Sequence, residues 1–343
     1  MVVDACDYRV ELKRPGTFYC RHPQVFSALN LVSAQVCHGC SQRLKPCSPR
    51  SVPSHLDDID GEWKFYRTSD LVTQAHHLAS QLPSEVDAIV GIARSGLLPA
   101  TAIATQLHLP LYSISKQRGV RDLGTGGRGT GISTAEHPHT IAIVDDSVFG
   151  GIAMEAAVKL AKERFPFSEI IRAAIYVRPE GARAVDLIGR LAPAPHFFEW
   201  NLFNCLQAQY AALDFDGVLC QEWEGDEEQD PVRYQNHVES ARPLHLPRRG
   251  IVPLVVSARL EQHRSACERW LARWQVSVKR LVLGSWNTAA ERRAQYSAGE
   301  FKGQAYKRSK CTLFVESCER QSREIFEVAR KPVLALSTGK VFH

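Results

Sequence analysis

The run Ile141-Ala142-Ile143-Val144-Asp145-Asp146-Ser147-Val148-Phe149-Gly150-Gly151 constrains this chain more than any other stretch. Four successive apolar residues read as a strand buried on both faces, two carboxylates end it, and a glycine turn opens the helical pattern of Ile152 to Arg164. Strand, turn and helix in immediate succession belong to a parallel sheet covered by helices. In that geometry the N–H groups of the turn and the positive end of the helix face one point, which suits an anion. Two acids beside that point suit the hydroxyls of a sugar whose phosphate fills the turn.

This layout resembles the phosphoribosyl pyrophosphate (PRPP) motif of type I phosphoribosyltransferases, closest to its Asp-Asp-Ser variety. The resemblance implies that Asp145, Asp146, Ser147, Gly150 and Gly151 hold PRPP. Phe149 and Ile152 stand where the family offers Thr or Ser hydroxyls, so part of the phosphate coordination falls to the backbone or is missing. A second segment, Val86 to Gly96, reads as a strand running into a tight Arg-Ser-Gly turn, followed by a packed helix from Leu97 to Leu107. It resembles the family's pyrophosphate loop. Arg94 supplies a permanent positive charge, Ser95 continues the turn, and Gly96 is expected to permit an unusual backbone conformation.

Between these segments, Lys116 to Thr140 carries Arg118, Arg121, Arg128 and a high density of glycine. The family places a catalytic lid at this point in the order, and position and charge favour a lid here over a linker. At the end of the domain, Trp200 or Phe203 could stack on an acceptor base, although aromatic residues at a domain end are more often core.

A different chemistry begins at Tyr210. An apolar strand leads into Asp214-Phe215-Asp216-Gly217, and the two-residue alternation of strand side chains is expected to put both acids on one face. The segment resembles motif I of the haloacid-dehalogenase-like phosphatases. The resemblance implies that Asp214 is a nucleophile forming an aspartyl-phosphate and that Asp216 is general acid and then base. Val255 to Arg259 resembles motif II, with Ser257 binding the transferring phosphoryl group. Phe314 to Ser317 resembles motif IV, where Glu316 joins Asp214 and Asp216 in holding Mg²⁺. Lys302, Lys307 and Lys310 all qualify by order for the motif III lysine, and Lys302 is preferred because Phe301-Lys302 and Tyr306 fit the start of a helix. The interval from Gly217 to Val256 is too short for a large cap domain, so the second site should be open.

The N-terminal segment offers Cys20, His22, Cys37 and Cys40, a set of four thiolate and imidazole ligands that suits a structural Zn²⁺ ribbon, against a reading as scattered free thiols. With 343 residues, the expected organisation is a Cys/His-rich segment over 1–55, a phosphoribosyltransferase-like domain over 56–205 and a phosphatase-like domain over 206–343. The expected fold class is α/β, with two doubly wound, mainly parallel Rossmann-like domains. Met1 to Arg14 mixes acids and bases without an apolar core, no apolar run spans a bilayer, and ten cysteines are few for a secreted disulfide scaffold, so a cytoplasmic protein is expected. The formal charge of +5 is spread along the chain and fits anionic small substrates, with no nucleic-acid module in view.

The expected function is thus bifunctional: phosphoribosyl transfer from PRPP, with Mg²⁺, to an unidentified acceptor, and hydrolysis of a phosphorylated metabolite, with self-association into a homo-oligomer left open. The alternative is a PRPP- or nucleotide-sensing first domain that regulates an active phosphatase.

Overall fold

The computed structural model describes residues 63–126, 138–225 and 229–343, with backbone alone at 206–207 and in three short strands. Those strands, β1 (Arg9–Glu11), β2 (Thr17–Cys20) and β3 (Leu31–Ser33), pair antiparallel. The side chains of the Cys20, His22, Cys37 and Cys40 set lie outside the described residues, as do residues 127–137 of the glycine-rich stretch. The chain divides into two compact units, Met1–Gly61 with Arg67–His196, and Glu62–Tyr66 with Phe197–His343.

After β4 (Lys64–Tyr66), which counts with the second unit, the first unit holds a six-stranded sheet. Its strands are β5 (Ala88–Ile92), β6 (Leu111–Ser115), β7 (Gly119–Gly124), β8 (Thr140–Val148), β9 (Glu169–Val177) and β10 (Leu187–Leu191), in the order β10-β9-β8-β5-β6-β7. All neighbours are parallel except β6 and β7. Helix α1 (Thr68–Ala79) leads into β5, and the crossovers between parallel neighbours are the helices α2 (Leu97–Leu107), from β5 to β6, and α3 (Ile152–Arg164), from β8 to β9. Ile141, Ile143 and Val144 are fully buried, as a strand covered by helices on both faces requires. Strand order reverses between β5 and β8, which is where ligands of open α/β sheets bind, at the carboxyl ends. Two details differ from expectation. Gly119–Gly124 is an edge strand on β6 where a loop is expected, and β8 runs through both carboxylates to Val148 because Ser147 and Val148 continue to pair with Tyr176 and Val177.

The second unit begins its boundary earlier than residue 205, since β4 pairs with β11 (His196–Phe198) and Phe197, Leu202 and Phe203 are buried in its core. Phe203 stacks on His245 at 4.6 Å, and Trp200 stacks on Phe198 at 4.5 Å. Phe203 is thereby part of the second unit's own core, and Trp200 keeps a half-buried ring stacked on Phe198. Its sheet comprises β12 (Ala211–Asp214), β13 (Leu254–Leu260), β14 (Leu281–Gly284), β15 (Leu313–Glu316), β16 (Val333–Ala335) and β17 (Lys340–Phe342), in the order β14-β13-β12-β15-β16-β17. Only the β16 and β17 pair is antiparallel. The helices are α4 (Pro231–Ser240), α5 (Arg264–Arg273), α6 (Ala289–Gln295), α7 (Ala298–Lys307) and α8 (Glu319–Ala329). Helix α5 starts at Arg264 because β13 extends to Leu260 and a short 3₁₀ turn follows.

One piece of local sequence logic positions a site residue directly. Ser297 Oγ accepts from the Glu300 N–H at 3.1 Å and Glu300 returns a carboxylate to the Ser297 N–H at 3.0 Å, a capping box that fixes the start of α7. Gly299, Lys302, Gly303 and Tyr306 then share the buried face. A side chain on Gly303 would meet Val328 Cβ at 2.8 Å, so glycine there lets α8 approach and presses Lys302 toward the sheet. Among the described residues, no helix is long and apolar enough to cross a membrane.

Candidate functional sites

In the first unit the two expected motifs meet at the β5/β8 switch point. Gly96 caps α2 with φ −62°, an ordinary helical value, so the expected unusual conformation is absent. Glycine is needed there for closeness instead. A Cβ at Gly96 would sit 2.6 Å from the Ile92 carbonyl oxygen and 2.7 Å from Asp145 Oδ1. Gly96→Ala is accordingly expected to destabilise the chain by about 1–3 kcal/mol through overpacking, read as a lower urea midpoint. An unchanged midpoint would mean that the turn and Asp145 separate freely.

Asp145 and Asp146 are 6% and 3% exposed, and the Asp146 N–H donates to Asp145 Oδ1 at 3.0 Å. Burial, and then the adjacent Asp146, push the Asp145 carboxyl well above the usual carboxylate range. Ser147 is half-buried, Arg94 is exposed and Ser95 half-buried. Gly151, with φ 87°, is in the left-handed region ahead of α3 and its Cα faces Ala184, where a methyl would collide. Gly150 is open, while Phe149 and Ile152 are 43% and 66% exposed and Arg178 lies over the Phe149 ring at 4.2 Å. The turn thus presents backbone and apolar side chains, not hydroxyls. Beside it, a cavity of about 240 Å³ is lined by Ala93, Ser115, Lys116 and the first turns of α3 at Ala153 and Ala156.

In the second unit, Lys302 Nζ donates to Asp214 Oδ2 at 2.7 Å, Glu316 Oε2 at 2.8 Å and Gln321 Oε1 at 2.8 Å. Asp214 and Glu316 close β12 and β15, Lys302 comes from α7, and all three are at most 4% exposed. Lys307 and Lys310 are exposed. Ser257, 1% exposed on β13, accepts from the Arg259 N–H at 3.2 Å and its Oγ lies 3.4 Å from Asp216 Oδ2. Asp214, Ser257, Lys302 and Gln321 border a cavity of about 300 Å³.

Asp216 departs from expectation. β12 ends at Asp214, so Asp216 lies in the following turn and does not share a strand face with it. Arg259 grips it with two donors, Nε to Oδ2 at 2.9 Å and Nη2 to Oδ1 at 2.5 Å, and His237 Nε2 is 3.5 Å from Oδ1. Burial disfavours the Asp216 charge, but Arg259 and His237 outweigh it and hold the carboxyl well below the usual range. In this arrangement Asp216 is neither a proton donor nor a free metal ligand.

The donor chemistry nevertheless suits Mg²⁺. Asp214, Asp216 and Glu316 set three carboxylates against two buried cations, Lys302 and Arg259, leaving one excess negative charge. Burial and the Glu316 charge push the Asp214 carboxyl well up, with Lys302 opposing, and the Lys302 ammonium is held above its ordinary value by Asp214 and Glu316 despite burial. A hard divalent cation on the Asp214 and Glu316 oxygens relieves that imbalance. A separate group, Asp216, Cys220 and His237, has ligand atoms close together, but the Arg259 guanidinium already occupies Asp216 and approaches Cys220 Sγ at 3.5 Å, which disfavours a cation.

Arg259, Gln321, Glu222 and His237 are site residues that the motif reading does not assign. Arg259 carries its own signal, a permanent charge inside an apolar strand run, since arginine is almost never fully buried unless paired. Glu222 follows Asp216 in the same loop, whereas Gln321 and His237 reach the site through tertiary packing.

Comparison with known proteins bears on the first unit. The chain is similar to a purine phosphoribosyltransferase from Pyrococcus horikoshii Ot3, with 22% identity over 40% of this chain and 93% of that one and a TM-score of 0.32. It is also similar to the xanthine-guanine-hypoxanthine phosphoribosyltransferase of Helicobacter pylori, with 18% identity over 41% and 94% and a TM-score of 0.34. An orotate phosphoribosyltransferase from Aeropyrum pernix matches with 18% identity over 36% and 69% and a TM-score of 0.28. A search of curated proteins finds no match. The phosphoribosyl transferase domain family matches residues 65–190, the stretch that holds both anion-facing turns of the first unit, and the chain therefore carries a phosphoribosyl transferase domain there.

Proposed function

We propose that the chain has two activities, transfer of phosphoribose from PRPP in the first unit and hydrolysis of a phosphate monoester in the second. The domain match at residues 65–190, with Gly96 set against Asp145, supports the first. The observation that carries the second is the convergence of Asp214, Lys302 and Glu316, distant in sequence, at the carboxyl ends of a parallel sheet.

In the first unit the Gly150–Gly151 turn and the start of α3 receive the 5-phosphate, Asp145 and Asp146 face the ribose, and Arg94 with its turn faces the pyrophosphate that leaves. In the second, an Asp214 oxygen attacks phosphorus and the ester P–O bond breaks, its electron pair departing on the alcohol oxygen. Lys302 offsets charge on Asp214 as the bond forms, and Ser257 donates to the phosphoryl oxygens. The incoming phosphoryl group competes with Asp216 for Arg259; once released, the Asp216 carboxylate takes the proton of the phosphate monoester monoanion, passes it to the leaving alcohol oxygen, and later takes a proton from the attacking water and returns it to solvent. That water cleaves the acyl phosphate, giving inorganic phosphate and restoring Asp214. Mg²⁺, held by Asp214 and Glu316, neutralises phosphoryl charge when bound.

The exposed Phe149 and Ile152 in the phosphate turn favour one rival, a first unit that binds PRPP without turnover and controls the second. Purified full-length protein supplied with PRPP, Mg²⁺ and a panel of purine and pyrimidine bases is expected to release pyrophosphate, and with p-nitrophenyl phosphate to release nitrophenolate. PRPP binding by calorimetry without pyrophosphate from any base would replace transfer by sensing. Absence of nitrophenolate would remove the hydrolase.

A further inference from the structure

The phosphate turn of the first unit is backed by a segment that neither of its two motifs contains. After β9 the chain makes a short 3₁₀ turn, Pro179–Ala184, whose opening proline has the fixed φ that its first position requires. The Arg178 N–H donates to the Val148 carbonyl at 2.9 Å and the Gly181 N–H to the Arg178 carbonyl at 2.8 Å, so the backbone joins this turn to the end of β8.

Gly181 is buried against Phe149. A Cβ there would collide with the Phe149 carbonyl oxygen and lie 3.0 Å from the Phe149 carbonyl carbon and from Val148 Cγ1. Gly181 is outside the left-handed region, so contact alone demands glycine. Ala184 meets Gly151 in the same way, and Arg178 covers the Phe149 ring at 4.2 Å. Gly150, between Phe149 and Gly151, has open space where its Cβ would be.

The apolar side chains of the turn make this packing matter for binding. With Phe149 and Ile152 where hydroxyls could stand, a phosphate in the turn is held by peptide N–H groups. A hydroxyl rotates to follow a displaced anion, whereas the direction of a peptide N–H is fixed by the backbone. The N–H of a trans peptide points opposite to its C=O, so the Phe149 carbonyl pressed against Gly181 aims the Gly150 N–H away from the 3₁₀ turn. Resting on the reading of the first unit as a PRPP site, we infer that Gly181 and Ala184 are positioning residues for PRPP, fixing from behind the peptide groups that receive its 5-phosphate.

The test measures PRPP, ribose 5-phosphate and inorganic pyrophosphate binding to the full chain by calorimetry with Mg²⁺, beside the melting temperature. Gly189 supplies a matched control, because a Cβ there would lie 2.9 Å from the Ile175 carbonyl oxygen, a comparable collision between β10 and β9. Gly181→Ala is expected to weaken PRPP and ribose 5-phosphate about 30-fold, within the hundredfold that a misplacement of about 1 Å can cost. Gly189→Ala should stay within about threefold of the parent for both, although overpacking lowers its melting temperature to a similar degree. Pyrophosphate, which the reading places at Arg94, should bind both variants as it binds the parent. Ala184→Val pushes on Gly151 and leaves Gly181 untouched; it should weaken PRPP about tenfold, and it carries the same comparison if Gly181→Ala does not fold. PRPP affinity close to the parent's in Gly181→Ala or Ala184→Val, equal losses in Gly189→Ala, or equal losses for pyrophosphate would overturn the inference while leaving the PRPP site intact. Parent protein that does not bind PRPP would instead remove the reading of the first unit, and this inference with it.

Discussion

Asp214→Asn is expected to lower kcat for p-nitrophenyl phosphate by at least about 10³-fold, the order seen when a covalent nucleophile is removed, while the protein stays folded. The reason it stays folded lies in the charge balance of the site. Asp214, Asp216 and Glu316 are set against the buried Lys302 and Arg259, and the first of these carboxylates is 2% exposed. Asparagine keeps the shape and removes a buried negative charge, but the Phe215 N–H and Lys302 Nζ reach different oxygens of Asp214, and the single amide oxygen can accept from only one of them. The lost hydrogen bond and the relieved charge oppose each other, so the melting temperature should stay close to the parent's while turnover disappears. PRPP binding, measured by calorimetry on the same variant, should match the parent because the residues proposed to hold PRPP lie in the other unit. Retained hydrolysis would exclude Asp214 as nucleophile, and a large fall in melting temperature would show that its role is structural.

How much of this was legible in the sequence varies with the range of the interactions involved. Apolar runs ending in acids identify β8, β12 and β15 because a strand covered on both faces has to be continuously apolar. The alternation of strands and helices likewise indicates parallel sheets. What the pattern cannot register is where pairing stops. β8 continues through Asp145 and Asp146 because β9 offers Tyr176 and Val177 as partners, whereas β12 stops at Asp214 and leaves Asp216 in a turn. Gly96 teaches a related lesson: glycine was expected for its conformational freedom, but its φ is helical and the demand comes from Asp145, a residue far along the chain. Asp216 shows the same limit most clearly. A short Asp-x-Asp motif suggests a shared metal, yet Arg259, 43 residues away, takes both oxygens of the second acid. Spacing along a strand carries no information about a guanidinium that arrives from the neighbouring strand.

Lys302→Met is expected to have the larger effect on stability, about 3–5 kcal/mol, because it strands two buried carboxylates at once. Lys302 is held between Asp214 Oδ2 at 2.7 Å and Glu316 Oε2 at 2.8 Å, with Glu316 fully buried. Methionine fills much the same volume, so the loss comes from charge and not from a cavity. Glu316 retains contacts through its other oxygen, Oε1, from Ser317 Oγ and the Cys318 N–H at 3.2 Å each, but these neutral donors do not offset a buried anion. Adding Glu316→Gln to Lys302→Met removes one of the two stranded charges, leaving Asp214 able to take up a proton in its buried setting. The double variant should therefore be more stable than Lys302→Met alone, with a coupling of about 1–3 kcal/mol between the two sites in urea denaturation. Additive losses would mean that Lys302 contributes through packing alone. In that case the charge balance at the head of β12 could not be what makes the site receptive to Mg²⁺ and to a phosphoryl group.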